Sequence, residues 1–249
     1  MSRYVLPLVT ALVLLGLWWA AVVLTHATIF PSPLAVAKGL GKLMDDSLLW
    51  SYIGDSLFRV GAGYFAAVLL GIPAGLLLGM SPMLTQAANP VIQMMRPISP
   101  LAWMPLAVIW FGVSNLAPIF LIFLATFFPV VVSTMNGVRN IPPMFLQAGR
   151  NFGLTRGQLV RRVIFPAVLP RILIGLRLAF GVAWLVLVAA EMIAVDSGLG
   201  YLIIDARNAG KRYDLVVGGM LLIGAIGLAL DTVLRRAERL RFVRWAFRE

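Results

Sequence analysis

Six long apolar segments constrain the possible fold of this chain more than any other feature of its sequence. Each has about 20 predominantly apolar residues, the length at which an α-helix crosses the hydrocarbon core of a bilayer. Transmembrane β-strands would appear as alternating segments of about ten residues, and these segments do not alternate. The sequence therefore predicts an all-α membrane protein with six transmembrane helices in a single domain, residues 1–249. The predicted spans are residues 5–25, 57–80, 91–111, 116–138, 172–195 and 215–234.

The residue composition agrees with a membrane protein and excludes several kinds of chemistry. Charged residues make up only 12% of the chain, against about 25% in a typical soluble domain. The chain has no cysteine and a single histidine, His26, which excludes disulfides, cysteine nucleophiles and cysteine- or histidine-based metal centres. It also lacks a G-x-x-x-x-G-K-S/T phosphate loop. We therefore predict no enzyme activity, no ATP hydrolysis and no cofactor in this chain.

The basic residues predict how the chain is oriented. Arg3 precedes the first span, and arginines gather between the fourth and fifth spans and after the last span. Cytoplasmic loops of membrane proteins carry such an excess of basic residues. Both termini are therefore predicted to be cytoplasmic. This explains most of the net charge of +11 without nucleic-acid binding. Residues 197–200 then face outside, as a solvated turn, an outer gate or a contact for another protein. The arginines between the fourth and fifth spans and at their edges are Arg139, Arg150, Arg156, Arg161, Arg162, Arg171 and Arg177.

The loop of residues 139–171 is predicted to be a helix, a turn and a second helix on the cytoplasmic surface. Gly153 and Gly157 bracket the turn, and Thr155 is placed to cap the helix that follows. Cations and apolar residues recur there at helical spacing. From composition alone, the loop could equally be an amphipathic hairpin that places its arginines on lipid phosphates.

The spacing within this loop resembles the "EAA" loop of permease subunits of ABC importers, which has E-A-A, three residues, G, nine residues and I-x-L-P. Gln147 stands for the Glu, Gly149 for an Ala, and Val163 and Phe165 for Ile and Leu, whereas the spacing from Gly153 to Pro166 is kept. In that family the loop is a coupling helix that docks into a groove of the ATP-hydrolysing subunit. The resemblance assigns this coupling role to Gln147, Ala148, Gly149, Asn151, Gly153, Leu154, Thr155 and Pro166.

Four other stretches extend the resemblance over nearly the whole chain. They are similar to the taurine, sulfonate and nitrate branch of these permeases, and they read FPSPLAVAKGL, RPISPLAWMPLAVIWFG, LVAAEMIAVDSGLGYLI and LDTVLRRAER. The resemblance implies the type I ABC importer permease fold in a bacterial inner membrane. It also implies a homodimer in membrane lipid, two ATP-binding subunits that hold ATP and Mg, and a periplasmic or lipid-anchored substrate-binding protein. Taurine or an alkanesulfonate is the first expected cargo, followed by nitrate or another small organic anion.

Two ionisable residues inside predicted spans are candidates for a role in transport, since such residues are costly in a bilayer. Arg96 begins the third span and Glu191 lies deep in the fifth. They could pair as a brace for the bundle, or Arg96 could attract an anion in the pathway. Prolines break the third span, and irregular backbone needs cover from protein or a cavity. Ser99 and Trp103 are therefore either pathway lining or part of a packing kink.

The rival class is a secondary transporter or channel that works without an ATPase. Such a protein would show charge pairs or ion ligands repeated in the two halves of the chain. The sequence has no such repeat. A membrane enzyme is disfavoured because no nucleophile–base pair is recognisable.

Overall fold

The computed structural model describes residues 2–25, 30–45, 47–208 and 210–238, and this part of the chain is almost entirely helical. His26 and the last four arginines of the tail lie outside the described residues. The helices are α1 (Ser2–Thr25), α2 (Pro33–Met44), α3 (Ser47–Met80), α4 (Pro82–Met95), α5 (Met104–Phe111), α6 (Leu116–Arg139), α7 (Pro143–Asn151), α8 (Arg156–Leu159), α9 (Phe165–Ala194), α10 (Leu199–Asn208) and α11 (Tyr213–Glu238).

The central unit of the bundle is the pair α3 and α6, which are parallel and very close. Successive glycines on one face of α3 contact successive residues of α6 in the same order along the chain, so both helices run in the same direction. At Gly75 an added β-carbon would lie 2.6 Å from Cβ of Thr134. Small residues allow helix backbones to approach this closely in a membrane. The facing sets are Gly63 with Ile122, Gly71 with Val130, Gly75 with Thr134 and Gly79 with Val138.

Helix α9 packs antiparallel against α6 and fixes the two ends of the bundle. Gly137 near the end of α6 meets Val168 near the start of α9, and Gly175 lies against Ser133. The end at which α6 finishes is therefore the end at which α9 begins. The segment 143–164 projects from that end, and we refer to it as the hairpin. The N-terminus of α6 and the C-terminus of α9 lie at the opposite end.

Four helical segments within the described residues are long and apolar enough to cross a membrane. They are Ser47–Met80, Leu116–Arg139, Arg156–Ala194 and Tyr213–Arg236, and two shorter apolar helices are Leu8–Leu24 and Pro100–Phe111. The helix that contains the second predicted span begins about ten residues earlier than predicted, at Ser47. The number of six spans stays a prediction.

The third predicted span, residues 91–111, is not one helix. Helix α4 ends at Met95, residues 96–99 are non-helical, and a 3₁₀ turn at Pro100–Trp103 leads into α5. Proline removes a backbone donor and clashes with the preceding turn. Pro97 and Pro100 stand at this break, so the sequence accounts for it directly.

Candidate functional site

A buried ion pair joins α3 to α9 at the end of the bundle opposite the hairpin. Nη1 of Arg59 lies 2.8 Å from Oε1 of Glu191, and the two side chains are 2% and 0% exposed. A buried charge is tolerated only when it is paired and its remaining hydrogen-bonding groups have partners. The neighbours of this pair meet that condition.

Glu191 also holds the N-terminus of α10. The backbone N–H of Gly200 donates to Oε2 of Glu191 at 3.0 Å. Oγ of Ser56 lies 2.8 Å from both carboxylate oxygens and accepts from the N–H of Leu199 at 2.9 Å. The first N–H groups of a helix have no partner within it and carry partial positive charge. A carboxylate from α9 and a hydroxyl from α3 therefore cap α10 from outside the helix.

The remaining donors of Arg59 reach two further elements. Nε donates to Oδ1 of Asn115 at 2.9 Å, immediately before α6. Nη1 donates to the carbonyl of Ser197 at 2.8 Å, and Nη2 to its hydroxyl at 2.6 Å. Gly198 has φ +105°, and a β-carbon there would lie 2.6 Å from Nη1 of Arg59. We call Ser56, Arg59, Asn115, Glu191 and Ser197 the polar network.

The polar network corrects two expectations from the sequence. Glu191 pairs with Arg59, so its pairing with Arg96 is wrong. Arg96 and Val182 line the same cavity, and Glu191 lies nine residues after Val182 on α9. Glu191 is therefore about 13 Å along the helix from the level of this cavity, too far to pair with Arg96. Residues 198–200 are buried rather than a solvated turn. Arg59 was not among the predicted site residues, because it stands close to the start of an apolar segment. Its position inside a predicted span could nevertheless have indicated a buried partner.

The break between α4 and α5 borders a cavity of about 240 Å³, lined by Arg96, Pro100, Phe128, Pro129 and Val182 among others. A smaller adjoining cavity is lined by Trp103 and shares Pro100 and Phe128 with the first. The structure therefore brings the predicted residues Arg96 and Trp103 to one region, with Ser99 on the chain between them.

This cavity lies near the middle of the bundle. Phe128 stands at the midpoint of α6, which runs from Leu116 to Arg139. Among the described residues that line the two cavities, Arg96 is the one with a charged side chain. A cation next to non-helical backbone can donate hydrogen bonds to an anion of modest size.

The hairpin has the predicted helix–turn–helix form. Gly153 has φ +72°, a conformation that favours glycine, and it lies two residues after the end of α7. Thr155 caps α8 through a capping box: its Oγ1 accepts from the N–H of Gln158 at 3.4 Å, and its own N–H donates to Oε1 of Gln158 at 3.0 Å. The chain then continues through a π-helical turn, Val160–Ile164, into α9.

The two arms of the hairpin are packed tightly against each other. A β-carbon at Gly149 would lie 2.6 Å from Cδ1 of Leu159, so glycine in place of alanine allows α7 to approach α8. Leu154 is half-buried in the same apolar cluster. The other residues assigned to coupling are exposed: Gln147, Ala148, Asn151, Gly153, Thr155 and Pro166.

The tip of the hairpin carries an aromatic residue that sequence reasoning did not select. Phe152 is 85% exposed and precedes Gly153. Phe152 lies in a turn and is not part of a repeating apolar pattern. Only its position next to the turn glycine could have predicted a role for it. A rigid hairpin with an exposed aromatic tip is suited to insertion into a groove of another protein.

Solved structures of known transporters have the same fold as this chain. One is a native crystal form of the inward-facing MetNI methionine ABC transporter, with a TM-score of 0.66, 18% identity, and coverage of 77% of this chain and 95% of that chain. At this identity the likeness concerns the fold alone. The chain therefore has the fold of type I ABC importer permeases, with helices and no strand among its described residues.

The chain belongs to the family of binding-protein-dependent transport system inner membrane components, whose model matches residues 67–240. It is thus a multi-pass inner-membrane transport permease rather than a catalytic subunit.

Curated relatives match most of the chain. The taurine transport system permease protein TauC of Escherichia coli (strain K12) is 39% identical, over 98% of this chain and 91% of the relative. The putative aliphatic sulfonates transport permease protein SsuC of Bacillus subtilis (strain 168) is 34% identical, over 88% and 79%. The nitrate import permease protein NrtB of Leptolyngbya laminosa is 37% identical, over 78% and 68%.

Proposed function

We propose that this chain is the transmembrane subunit of an ATP-driven importer that moves a small anion across the inner membrane by alternating access. Taurine or an alkanesulfonate is the first candidate cargo, and nitrate or another small organic anion is the next. The observation that carries the proposal is the hairpin, a rigid structure with an exposed tip that is joined directly to a spanning helix. The names of the relatives support the choice of cargo.

The hairpin would couple ATP hydrolysis in a partner subunit to movement of the bundle. The capping box of Thr155 and the apolar contacts of Leu154 order the chain immediately after Gly153. The segment Arg156–Ala194 is one continuous helical run from the hairpin to the polar network. A displacement of the hairpin by the ATPase would therefore be transmitted along α9. Gln147, Ala148, Gly149, Asn151, Leu154, Thr155 and Pro166 form or support the docking surface.

The cavity at the α4–α5 break would be part of the translocation pathway. Substrate sites of transporters tend to lie near the bilayer midplane, where broken helices expose backbone groups. Arg96 supplies a positive charge in this position, while Ser99 and Trp103 lie on the broken segment. A sulfonate or nitrate could pair with the guanidinium, and aromatic side chains would complete the wall.

Glu191 would serve as a structural brace rather than a substrate ligand. Its carboxylate is fully buried and accepts hydrogen bonds from Arg59 and Gly200. These contacts hold α3, α9 and α10 together at the end opposite the hairpin, so an anion would have to displace a bonded carboxylate to reach Arg59.

The proposed assembly contains two copies of this chain, two ATP-binding subunits with ATP and Mg, and a periplasmic or lipid-anchored substrate-binding protein. Both termini and the hairpin would face the cytoplasm, because the arginines between α6 and α9 lie at the hairpin end. The polar network would then lie towards the outer surface, where the binding protein delivers the cargo.

The test is to purify the chain in detergent together with the proteins that bind it, and to measure ATPase activity and subunit ratio. One ATPase copy per permease, with uptake of taurine in liposomes that depends on ATP and on the binding protein, is the expected result. A chain that binds no ATPase and transports an anion alone in liposomes would instead be a secondary transporter or channel.

A further inference from the structure

A cavity of about 660 Å³ lies between the hairpin and the adjacent end of the bundle. Three of its lining residues are arginines: Arg139 at the end of α6, Arg150 on α7 and Arg156 at the start of α8. No Asp or Glu among the described residues lines it. Three guanidinium groups around one space, without a carboxylate to neutralise them, favour an anionic occupant.

The rest of the wall is apolar. Met80 at the end of α3, Ile141 after α6 and Leu146 on α7 line the same cavity. Leu146 and Arg150 are four residues apart on α7, so they share one face of that helix. An occupant that joins a negative group to hydrocarbon would match both kinds of wall.

The level of the cavity indicates where that occupant comes from. Met80 and Arg139 are the last residues of two helices that are long and apolar enough to cross the membrane. The cavity is therefore at the height of lipid headgroups. Phe152 and Gly153, at the tip of the hairpin, do not line it, so the surface proposed for ATPase docking is separate from it.

We infer that this cavity binds the phosphate group of an anionic membrane lipid, held by Arg139, Arg150 and Arg156. Basic pockets between transmembrane helices on the cytoplasmic side are suited to such headgroups. The acyl chains would lie against the apolar wall and the neighbouring helices. A lipid in this position fills the space under the hairpin and supports it against the bundle. The inference goes beyond the proposed function, because lipid retention does not require an ATPase.

The experiment measures binding of phosphatidylglycerol to the full chain by native mass spectrometry after detergent purification. The double variant R139Q/R150Q is compared with R161Q/R162Q, which removes the same charge from the hairpin outside the cavity. We expect the cavity variant to bind phosphatidylglycerol about thirtyfold more weakly, because it removes two of the three guanidinium groups placed to contact the phosphate, and each contributes several-fold to anionic lipid affinity. The control should change binding by less than about threefold. R156Q alone should show an intermediate loss.

Four results would overturn the inference. Unchanged binding in R139Q/R150Q, with an unchanged thermal unfolding midpoint, would mean that the cavity holds no lipid phosphate. Equal losses in both double variants would indicate diffuse surface attraction. Inorganic phosphate that competes fully at millimolar concentration, with no preference of the chain for phosphatidylglycerol over phosphatidylcholine, would identify a free oxyanion as the ligand. Release of the lipid when a stoichiometric ATPase binds would assign the cavity to that protein interface.

Discussion

The carboxylate of Glu191 lies 2.8 Å from Nη1 of Arg59 and also caps α10 through the N–H of Gly200. One side chain on α9 therefore neutralises a buried cation on α3. It also accepts a hydrogen bond from the N-terminal end of a third helix, α10. The two requirements are met by the same group, so its loss affects both.

Substitution of Glu191 by Gln should strongly destabilise the protein. The amide cannot neutralise Arg59, and breaking a buried ion pair on one side costs about 3–5 kcal/mol. Thermal unfolding of the purified chain measures this. The matched control is Arg212→Gln, which removes an exposed pair with Asp214 that is worth about 1 kcal/mol or less. Similar losses in both variants would contradict the account of the polar network.

Substitution of Gly153 by Val should separate ATP hydrolysis from transport while the bundle stays folded. A β-branched residue is strained at φ +72° and would displace the tip of the hairpin. We expect uptake to fall more than about tenfold, the equivalent of about 1.4 kcal/mol of coupling, with ATPase activity retained or uncontrolled. Gly157→Ala is the control, since a β-carbon there meets nothing within 4 Å. Normal uptake in Gly153→Val would argue against docking through this turn.

Substitution of Phe152 by Ala should weaken association with the ATPase subunit. An exposed aromatic anchor of an interface contributes about 2 kcal/mol or more, or roughly thirtyfold in affinity. The dissociation constant of the detergent-purified subunits measures this. Phe145→Ala provides the comparison, since Phe145 is also exposed but lies near the start of α7. A loss confined to Phe145→Ala would place the interface elsewhere on the hairpin.

Substitution of Arg96 by Gln should reduce uptake without loss of the assembled complex. The cavity would lose the one charged side chain that lines it within the described part of the chain. We expect affinity for a sulfonate in the permease to fall by about tenfold or more, because hydrogen bonds to charged groups contribute about 1.5–3 kcal/mol. Arg96→Lys keeps the charge and should restore part of the uptake. Dissociation of the complex in Arg96→Gln would assign Arg96 a structural role.

Substitution of Gly75 by Ala should destabilise the α3–α6 pair. The new methyl group would lie 2.6 Å from Cβ of Thr134, and overpacking of this kind costs about 1–3 kcal/mol. Gly61→Ala on the same helix is the control, because the space around that position is open. Equal unfolding temperatures for the two variants would show that the helices can separate without cost.

The fold class followed from the sequence because helices in a bilayer must be long and apolar, and that requirement leaves a clear pattern. The local form of the hairpin also followed, since Gly153 and Thr155 act through their own backbone and nearest neighbours. Arg59 could not be assigned a partner in this way. Its contacts to Glu191 and Ser197 join residues more than 130 positions apart, and only the packing of α3 against α9 decides them. Helix limits were missed for a related reason: the additional turns of α3 before residue 57 are more polar than a span and show no apolar run.

The close contact between α3 and α6 divides the walls of the central cavity into a fixed and a movable part. Because β-carbons are excluded along this parallel contact, Phe128 and Pro129 on α6 cannot move far from α3 without loss of the whole interface. Val182 lines the same cavity from α9, the helix that continues from the hairpin. A shift of α9, or of residues 95–100 that line the same space, can therefore widen the cavity at Arg96 while α3 and α6 stay together.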